Sequence, residues 1–404
     1  MLRISPALSL SPLLAVLLAG ASLAQAPVDD GTANLPDTIP AFEGQTDAPE
    51  INSGATFDEE VITGALSRPW GLAVLPDGAG YIVTERGGTL RHITRDGTMG
   101  PEISGVPNVR AMRQGGLLDV TLAPDFDDSR ILYLTYAARD GLAGSATALA
   151  RATLSDDHTA LEQVTELWRQ TPASAIPAHF GSRVIVQPDG GLIVTTGDRF
   201  TSENRQLAQD PVNAAYGVVV GFLPDGSPTA NDALRDVLPG IVSYGHRNSQ
   251  GAAIQPGTDL LWTLEHGPAG GDELNIIEEG GNYGWPMVSY GVNYNGSDVG
   301  SGEQAHAPDF IEPRYFWDPS IAPSDMVFYD GDMFPDWQGD ILLGALAGQA
   351  LVRLDIDGTS VIGEERFRTG EGRVRDVELD ADGAILILID DDPGALIRLT
   401  PAAG

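Results

Sequence analysis

Cysteine and lysine are both missing from the 404 residues. Without cysteine there is no disulfide, no thiolate nucleophile and no thiol to carry a lipid anchor. Without lysine there is no Schiff-base amine and no phosphate loop ending in Gly-Lys-Ser/Thr. All 23 basic residues are therefore arginine, set against 57 acids for a formal charge of -34. Such a surface repels nucleic acid and anionic membrane, so neither is an expected partner. Histidine is scarce, and the six present match no compact zinc spacing. Helix-period patterns are nearly absent, the weak ones lying around 203–210 and 231–237. Long apolar runs are missing after the first residues. There, Arg3, an apolar stretch through Leu18 and Ala24-Gln25-Ala26 read as an export signal over 1–26. The mature chain is expected to lack an integral membrane segment and to be periplasmic or secreted, with a core large enough to need no disulfide.

What the sequence does have is short apolar runs punctuated by Asp-Gly and Pro-Asp-Gly. Examples are "WGLAVLPDGAGYIVTERGGTLRHITRDG", "RVIVQPDGGLIVTTGD" and "DVELDADGAILILIDDDPGALIRL". Asp-Gly tolerates the positive φ of tight hairpins, so these are small antiparallel sheets repeated along the chain. Radial closure of such sheets gives an all-β protein, a β-propeller with long Gly-rich loops at one mouth of its channel. Repeats of roughly 55 residues suggest six blades, with seven open; a parallel β-helix would repeat more briefly and regularly. Residues 57–404 form the propeller. Residues 27–56, rich in Pro, Asp, Gly, Thr and Ala, read as a flexible leader or loosely attached arm.

His179 precedes the strand of "HFGSRVIVQPDGGLIVTTGD", and Asp198 ends the strand that returns from it. A tight hairpin brings its far ends together, so the two side chains can meet at one rim, the carboxylate fixing the tautomer of a histidine base. A satisfied pair of turn residues is the plainer alternative. Arg183 on the same strand, Arg247 with Asn248 in "YGHRNSQG", and Arg373 with Arg375 in "GRVRDV" are candidate anion contacts or rim salt bridges. His92, His158 and His306 sit in polar turn contexts and read as surface residues. The stretch "EHGPAGGDELNIIEEGGNYGWP", 265–286, combines glycines with acids. Glycine lets carbonyls turn inward and calcium prefers such oxygens beside carboxylates, so Gly267, Pro268, Asp272 and Glu273 are calcium candidates, or simply a tight loop. No G-x-S-x-G elbow and no dinucleotide fingerprint is present.

Over residues 60–400 these segments, with "SRPWGLAVLPDG", "RQGGLLDVTLAPDF", "GDELN...GGNYGWP" and "PSIAPSDMVFY", resemble the soluble PQQ-dependent sugar dehydrogenases of the glucose/sorbosone dehydrogenase family, in particular the aldose dehydrogenase branch. The resemblance implies a six-bladed propeller with pyrroloquinoline quinone (PQQ) and Ca2+ at its mouth, oxidising aldose sugars to lactones. It implies His179 as the base and Asp198 as its orienting carboxylate. Gln114, Arg247, Asn248, Arg373 and Arg375, with Arg183 and Asp272, match the cofactor surroundings. The carbonyls of Gly267 and Pro268 match those on the cofactor calcium, and Glu273 and Tyr283 match a second calcium position. PQQ carries three carboxylates, which gives the arginines a reason to converge. An external acceptor is implied: a quinone, a dye or a small redox protein. Val218 and Gly221 depart from a Gly-Lys…Arg pattern, and Ala347 stands where some glucose-active relatives have lysine, a loss that favours the aldose branch. Two other functions are compatible with such a propeller: a noncatalytic carbohydrate- or protein-binding role, and calcium-dependent hydrolysis of a lactone or ester.

Overall fold

The turn Pro188-Asp189-Gly190 shows how one blade begins. Gly190 takes φ +84°, the Asp189 carboxylate accepts the Gly191 N–H at 2.9 Å, and the flanking strands Gly181–Val186 and Leu192–Thr196 pair antiparallel. Repetition of this unit builds the computed structural model, which describes residues 25–28, 31–231, 233, 234 and 236–402. Six four-stranded antiparallel sheets stand around one axis. Their innermost strands, in chain order, are Pro69–Leu75, Leu117–Leu122, Gly181–Val186, Ser249–Ile254, Pro323–Phe328 and Val374–Leu379. Each packs beside the next, and the last beside the first. The sixth blade takes its outer strand, Phe57–Leu66, from the N-terminal side and pairs it with Gly394–Pro401, which closes the ring without a covalent staple.

The core lies in the seams between blades. Second strands such as Ile341–Ala345 and Ile385–Ile389 are buried along their whole length, because each sheet is covered on both faces by its neighbours. That is why these runs read as continuous apolar stretches rather than alternating ones. Of the two weak helical patterns, Asn204–Gln209 is a 3-10 helix, and the described part of 231–237 forms no helix. Among the described residues no helix is long and apolar enough to cross a membrane. The proposed signal falls almost wholly outside the described residues.

The segment expected as a flexible leader is tied down. Its Gln45 is fully buried; Nε2 donates to Glu312 Oε2 and the Pro313 carbonyl, both at 3.0 Å, and Oε1 accepts the Ala41 N–H at 2.7 Å. Asn34 and Leu35 donate backbone N–H groups to the Asp318 carboxylate at 2.9 and 2.7 Å. The arm thus lies along the outer strand of the fourth blade, Tyr315–Trp317, and covers edge groups that would otherwise face water. Polar composition suggested looseness; partners some 270 positions away in the chain override it.

Candidate active site

All six inner strands run the same way, so residues just before them share one end of the propeller. Residues just after the second strands share it too. This topology gathers Gln114, His179, Arg247, Asn248, Arg373, Asp198, Gly267 and Pro268 at one mouth.

His179 Nδ1 meets Asp198 Oδ1 at 2.7 Å, the hairpin pairing Gly181 with Thr196 having brought them together. Asp198 is held further by the Trp285 Nε1–H at 2.8 Å and the Phe200 N–H at 2.7 Å. Gln114 Oε1 accepts the His179 N–H at 2.7 Å, and Asn248 Oδ1 accepts the Gly181 N–H at 3.0 Å. Every polar side-chain atom of the pair except His179 Nε2 therefore has a fixed partner, and Nε2 is the nitrogen left to meet a ligand. Burial lowers the His179 pKa, Arg247 and Arg199 adding to the effect while Asp198 opposes it. Burial alone would raise Asp198, but the His179 charge and hydrogen bond, with Arg247, leave it below its ordinary value. The result is a neutral imidazole on an ionised carboxylate, the state a general base needs.

Four further positions are cationic or amide-bearing. Arg247 donates to the His266 carbonyl at 2.7 Å and lies 5.2 Å from the Trp285 ring centroid. Arg375 donates to Gln250 Oε1 at 2.7 Å and reaches Asp390 at 3.4 Å. Arg373, its side chain 48% exposed, donates to the Leu346 carbonyl. Arg247 Nε, Arg375 Nε and Asn248 Nδ2 are buried and have no hydrogen-bond partner among the described residues. Unpaired buried donors are costly, and three at one mouth suit an anionic, acceptor-rich ligand. His266, whose Nε2–H is directed at the Pro323 carbonyl 2.7 Å away, is held neutral by burial beside Arg375 and Arg247, its pKa brought down to about 3.

The Gly-rich loop turns back on itself. A Cβ on Gly267 would overlap the carbonyls of Gly270 and Gly271, so only glycine fits. Asp272 stitches the loop, Oδ1 accepting the Gly267 N–H at 2.8 Å and Oδ2 the Ala322 N–H at 2.7 Å; burial pushes its pKa up to about 6 against those bonds. Behind the loop is a cavity of about 10 Å³, bounded in part by Glu265, Glu273, Tyr283 and His306. Glu273 Oε1 is 3.5 Å from His306 Nε2, and Oε2 accepts from Asn275 at 3.2 Å. The Tyr283 hydroxyl donates to the Ile276 carbonyl and accepts the Glu278 N–H, while its ring stacks on His246. Tyr283 thus offers the cavity no free hydroxyl. Among the described residues no three His, Asp or Glu side chains are grouped as metal ligands.

Two sequence expectations need correction. Arg183 is not held for a ligand: its guanidinium meets Asp119 at 2.7 Å, Asp325 at 2.9 Å and Asp376 at 3.2 Å, and packs 4.9 Å from the Trp70 ring centroid. The reason is its place as third residue of an inner strand. Asp119, Asp325 and Asp376 are the third residues of theirs, so all four side chains form one layer inside the channel. The recurring acid in "LLD", "PSD" and "VRD" was the signal. His306, expected at the surface, is 3% exposed and stacked on Tyr290, and Glu273 and Glu312 raise its pKa above the ordinary value against the opposing effect of burial. His92 lies partly exposed on the strand Thr89–Ile93 rather than in a turn, and His158 in a partly exposed turn, their rings 4.3 Å apart. Val218 is buried in the packing of the third blade, whereas Ala347 is exposed at the mouth, its N–H bonded to the Ile321 carbonyl.

Residues the sequence did not single out are Trp285, Glu265, Arg199 and Phe200. Glu265 binds His246 Nδ1 at 2.9 Å and the Arg247 N–H. Arg199 is fully buried with its guanidinium 3.7 Å from the Phe180 ring centroid, donating to the Ile176 carbonyl and Ser145. Arg199 and Phe200 take φ +61° and +74°, conformations costing about 1–3 kcal/mol each outside glycine.

Fold and site together define a six-bladed propeller with an oriented histidine–aspartate pair and a cationic, donor-rich floor at one mouth. Residues 66–398 match the glucose/sorbosone dehydrogenase family, and the chain belongs to it. It is 38% identical over 355 residues to the aldose sugar dehydrogenase YliI of Escherichia coli (strain K12), covering 86% of this chain and 94% of that one. A crystal structure of glucose dehydrogenase superposes with TM-score 0.82 at 38% identity, covering 86% of this chain and all of the other. The PQQ-bound aldose sugar dehydrogenase from Streptomyces coelicolor gives TM-score 0.70 at 26% identity, covering 86% of this chain and 98% of its own.

Proposed function

We propose that the protein oxidises aldose sugars to lactones with PQQ as its redox group and calcium beside it, in the periplasm or outside the cell. The observation that carries this reading is the His179–Asp198 pair, 2.7 Å apart, at a mouth where Arg247, Arg375 and Asn248 keep buried N–H groups unpaired. Those donors, with Arg373 and Gln114, fit a flat tricarboxylate better than a neutral ligand. When bound, PQQ supplies an ortho-quinone that accepts hydride from the sugar's anomeric carbon, and calcium polarises that quinone. His179 Nε2 takes the anomeric hydroxyl proton as the C–H bond breaks, so substrate loses one hydride and one proton. Asp198 keeps the Nδ1–H in place and stabilises the imidazolium. Asp272 holds Gly267 and the Ala322 backbone so that the Gly267 and Pro268 carbonyls can face the cation. Glu273, with the backbone of Tyr283, is the candidate second calcium position. The electrons leave to an external quinone, dye or small redox protein.

The test titrates metal-stripped protein with PQQ, with and without calcium, while following aldose-dependent reduction of an artificial dye. Turnover requiring both additions is expected. Folded protein that neither binds PQQ nor reduces the dye would overturn the reading in favour of a binding propeller, and lactone hydrolysis without any acceptor would favour the hydrolase.

A further inference from the structure

Phe200 combines three features that ordinary packing does not require. Its backbone sits at φ +74°, directly after Arg199 at φ +61°, a region that bulky residues avoid. The residue is 47% exposed, although the neighbouring His179, Asp198 and Arg199 are buried. Its ring stands edge-to-face to the imidazole of His179, with centroids 5.0 Å apart and planes at 88°. The strained turn is held from several sides. The Phe200 N–H is fixed on Asp198 Oδ1, Asn204 Nδ2 donates to the Arg199 carbonyl at 3.1 Å, and the Arg199 guanidinium is locked against Phe180. A glycine would suit this backbone without strain. The chain instead carries an aromatic face, keeps it in water and sets it against the one base nitrogen system at the mouth.

We infer that Phe200 is a substrate-stacking residue that seats the apolar C–H face of a pyranose while the anomeric hydroxyl meets His179 Nε2. This rests on the sugar-oxidising reading above and adds to it the ring form of the substrate and the residue that selects it. A pyranose presents hydrocarbon on its faces and hydroxyls at its rim, so an exposed aromatic beside the base orients it without competing for the hydroxyl proton. The contact with His179 also covers one side of the imidazole once sugar is bound and excludes water from it. Phe200 acts on binding and approach, not on the proton transfer itself.

The experiment uses the full chain loaded with PQQ and calcium and D-glucose as probe, comparing wild type with Phe200→Ala, Phe200→Tyr, Phe200→Trp and Phe200→Gly. KM is expected to rise roughly 3- to 20-fold in Phe200→Ala with kcat changed far less, and to return toward wild type in the Tyr and Trp variants. Phe200→Gly separates function from fold: relief of the backbone raises the melting temperature while KM rises as in the Ala variant. Unchanged KM in the Ala and Gly variants overturns the inference, as does a kcat loss that Tyr and Trp fail to rescue. Should wild type oxidise no sugar, the parent reading has failed by itself. Calorimetric binding of D-glucose to wild type and Phe200→Ala then decides: weaker binding in the variant supports the stacking role, and equal or absent binding in both overturns it.

Discussion

At the residue scale the site is built on one carboxylate with three donors. Asp198 accepts from His179, from the Trp285 indole and from the Phe200 backbone, so its position is over-determined before any ligand arrives. Replacing it by Asn leaves the shape and removes the charge. We expect Asp198→Asn to cut kcat by about 10²–10⁴-fold with PQQ affinity nearly unchanged, the range general-base assistance usually supplies. The charge also has a titration signature. Burial already lowers His179 below its ordinary value of about 6.5, with Asp198 pulling the other way. In protein free of PQQ, NMR titration should place His179 below that value in wild type and lower still in Asp198→Asn. A midpoint above it in the variant would contradict the electrostatic account. The hairpin that joins these two residues was legible in the sequence, because Pro-Asp-Gly set the turn and its far ends had to meet.

At the scale of elements the N-terminal arm does more than its composition suggested. Gln45 is buried with both ends of its amide bonded, to Glu312 and the Pro313 carbonyl on one side and to Ala41 and the Tyr290 hydroxyl on the other. Tyr290 in turn stacks on His306, which faces Glu273 across 3.5 Å. Truncation to Gln45→Ala leaves several of these groups unpaired and should cost about 2–4 kcal/mol in chemical denaturation. A loss under about 0.5 kcal/mol would mean that the arm is only loosely held. No local pattern announces this docking. Its partners sit on the fourth blade, and a polar, proline-rich stretch looks the same whether or not a distant strand edge awaits it.

At the scale of the molecule the axis carries a surplus of negative charge. Arg183 faces Asp119, Asp325 and Asp376, with Glu378 nearby on the same inner strand as Asp376. Burial, with the neighbouring acids, pushes Asp119 up to about 7 and Glu378 up to about 8, and raises Asp325 well above the carboxylate range. The unfolded chain releases these protons near pH 4. Between that point and about pH 8 the folded state therefore binds more protons, and its stability falls as pH rises. The melting temperature should drop from pH 5 to pH 8, and the overall charge of -34 acts in the same sense. Asp325→Asn should raise the pH 8 value and flatten the slope; a steeper slope in the variant would contradict the assignment. Added salt should recover part of the surface contribution and little of the buried one.

The sequence by itself determined the all-β propeller, the meeting of His179 with Asp198, and the loop at Gly267 that admits no side chain. Each follows from local rules: turn chemistry, alternation along a strand, and the absence of a Cβ. Only the tertiary structure decided that Arg183 belongs to the axial carboxylates, that the N-terminal arm braces the fourth blade through Gln45 and the fifth through Ile51 and Ser53, that His306 is buried, and that Phe200 stands exposed beside His179. Those depend on which blades become neighbours. Period-two alternation says which face a side chain takes, but what lies across the channel comes from strands some 60 to 200 positions away, and the choice among partners is made when the ring closes.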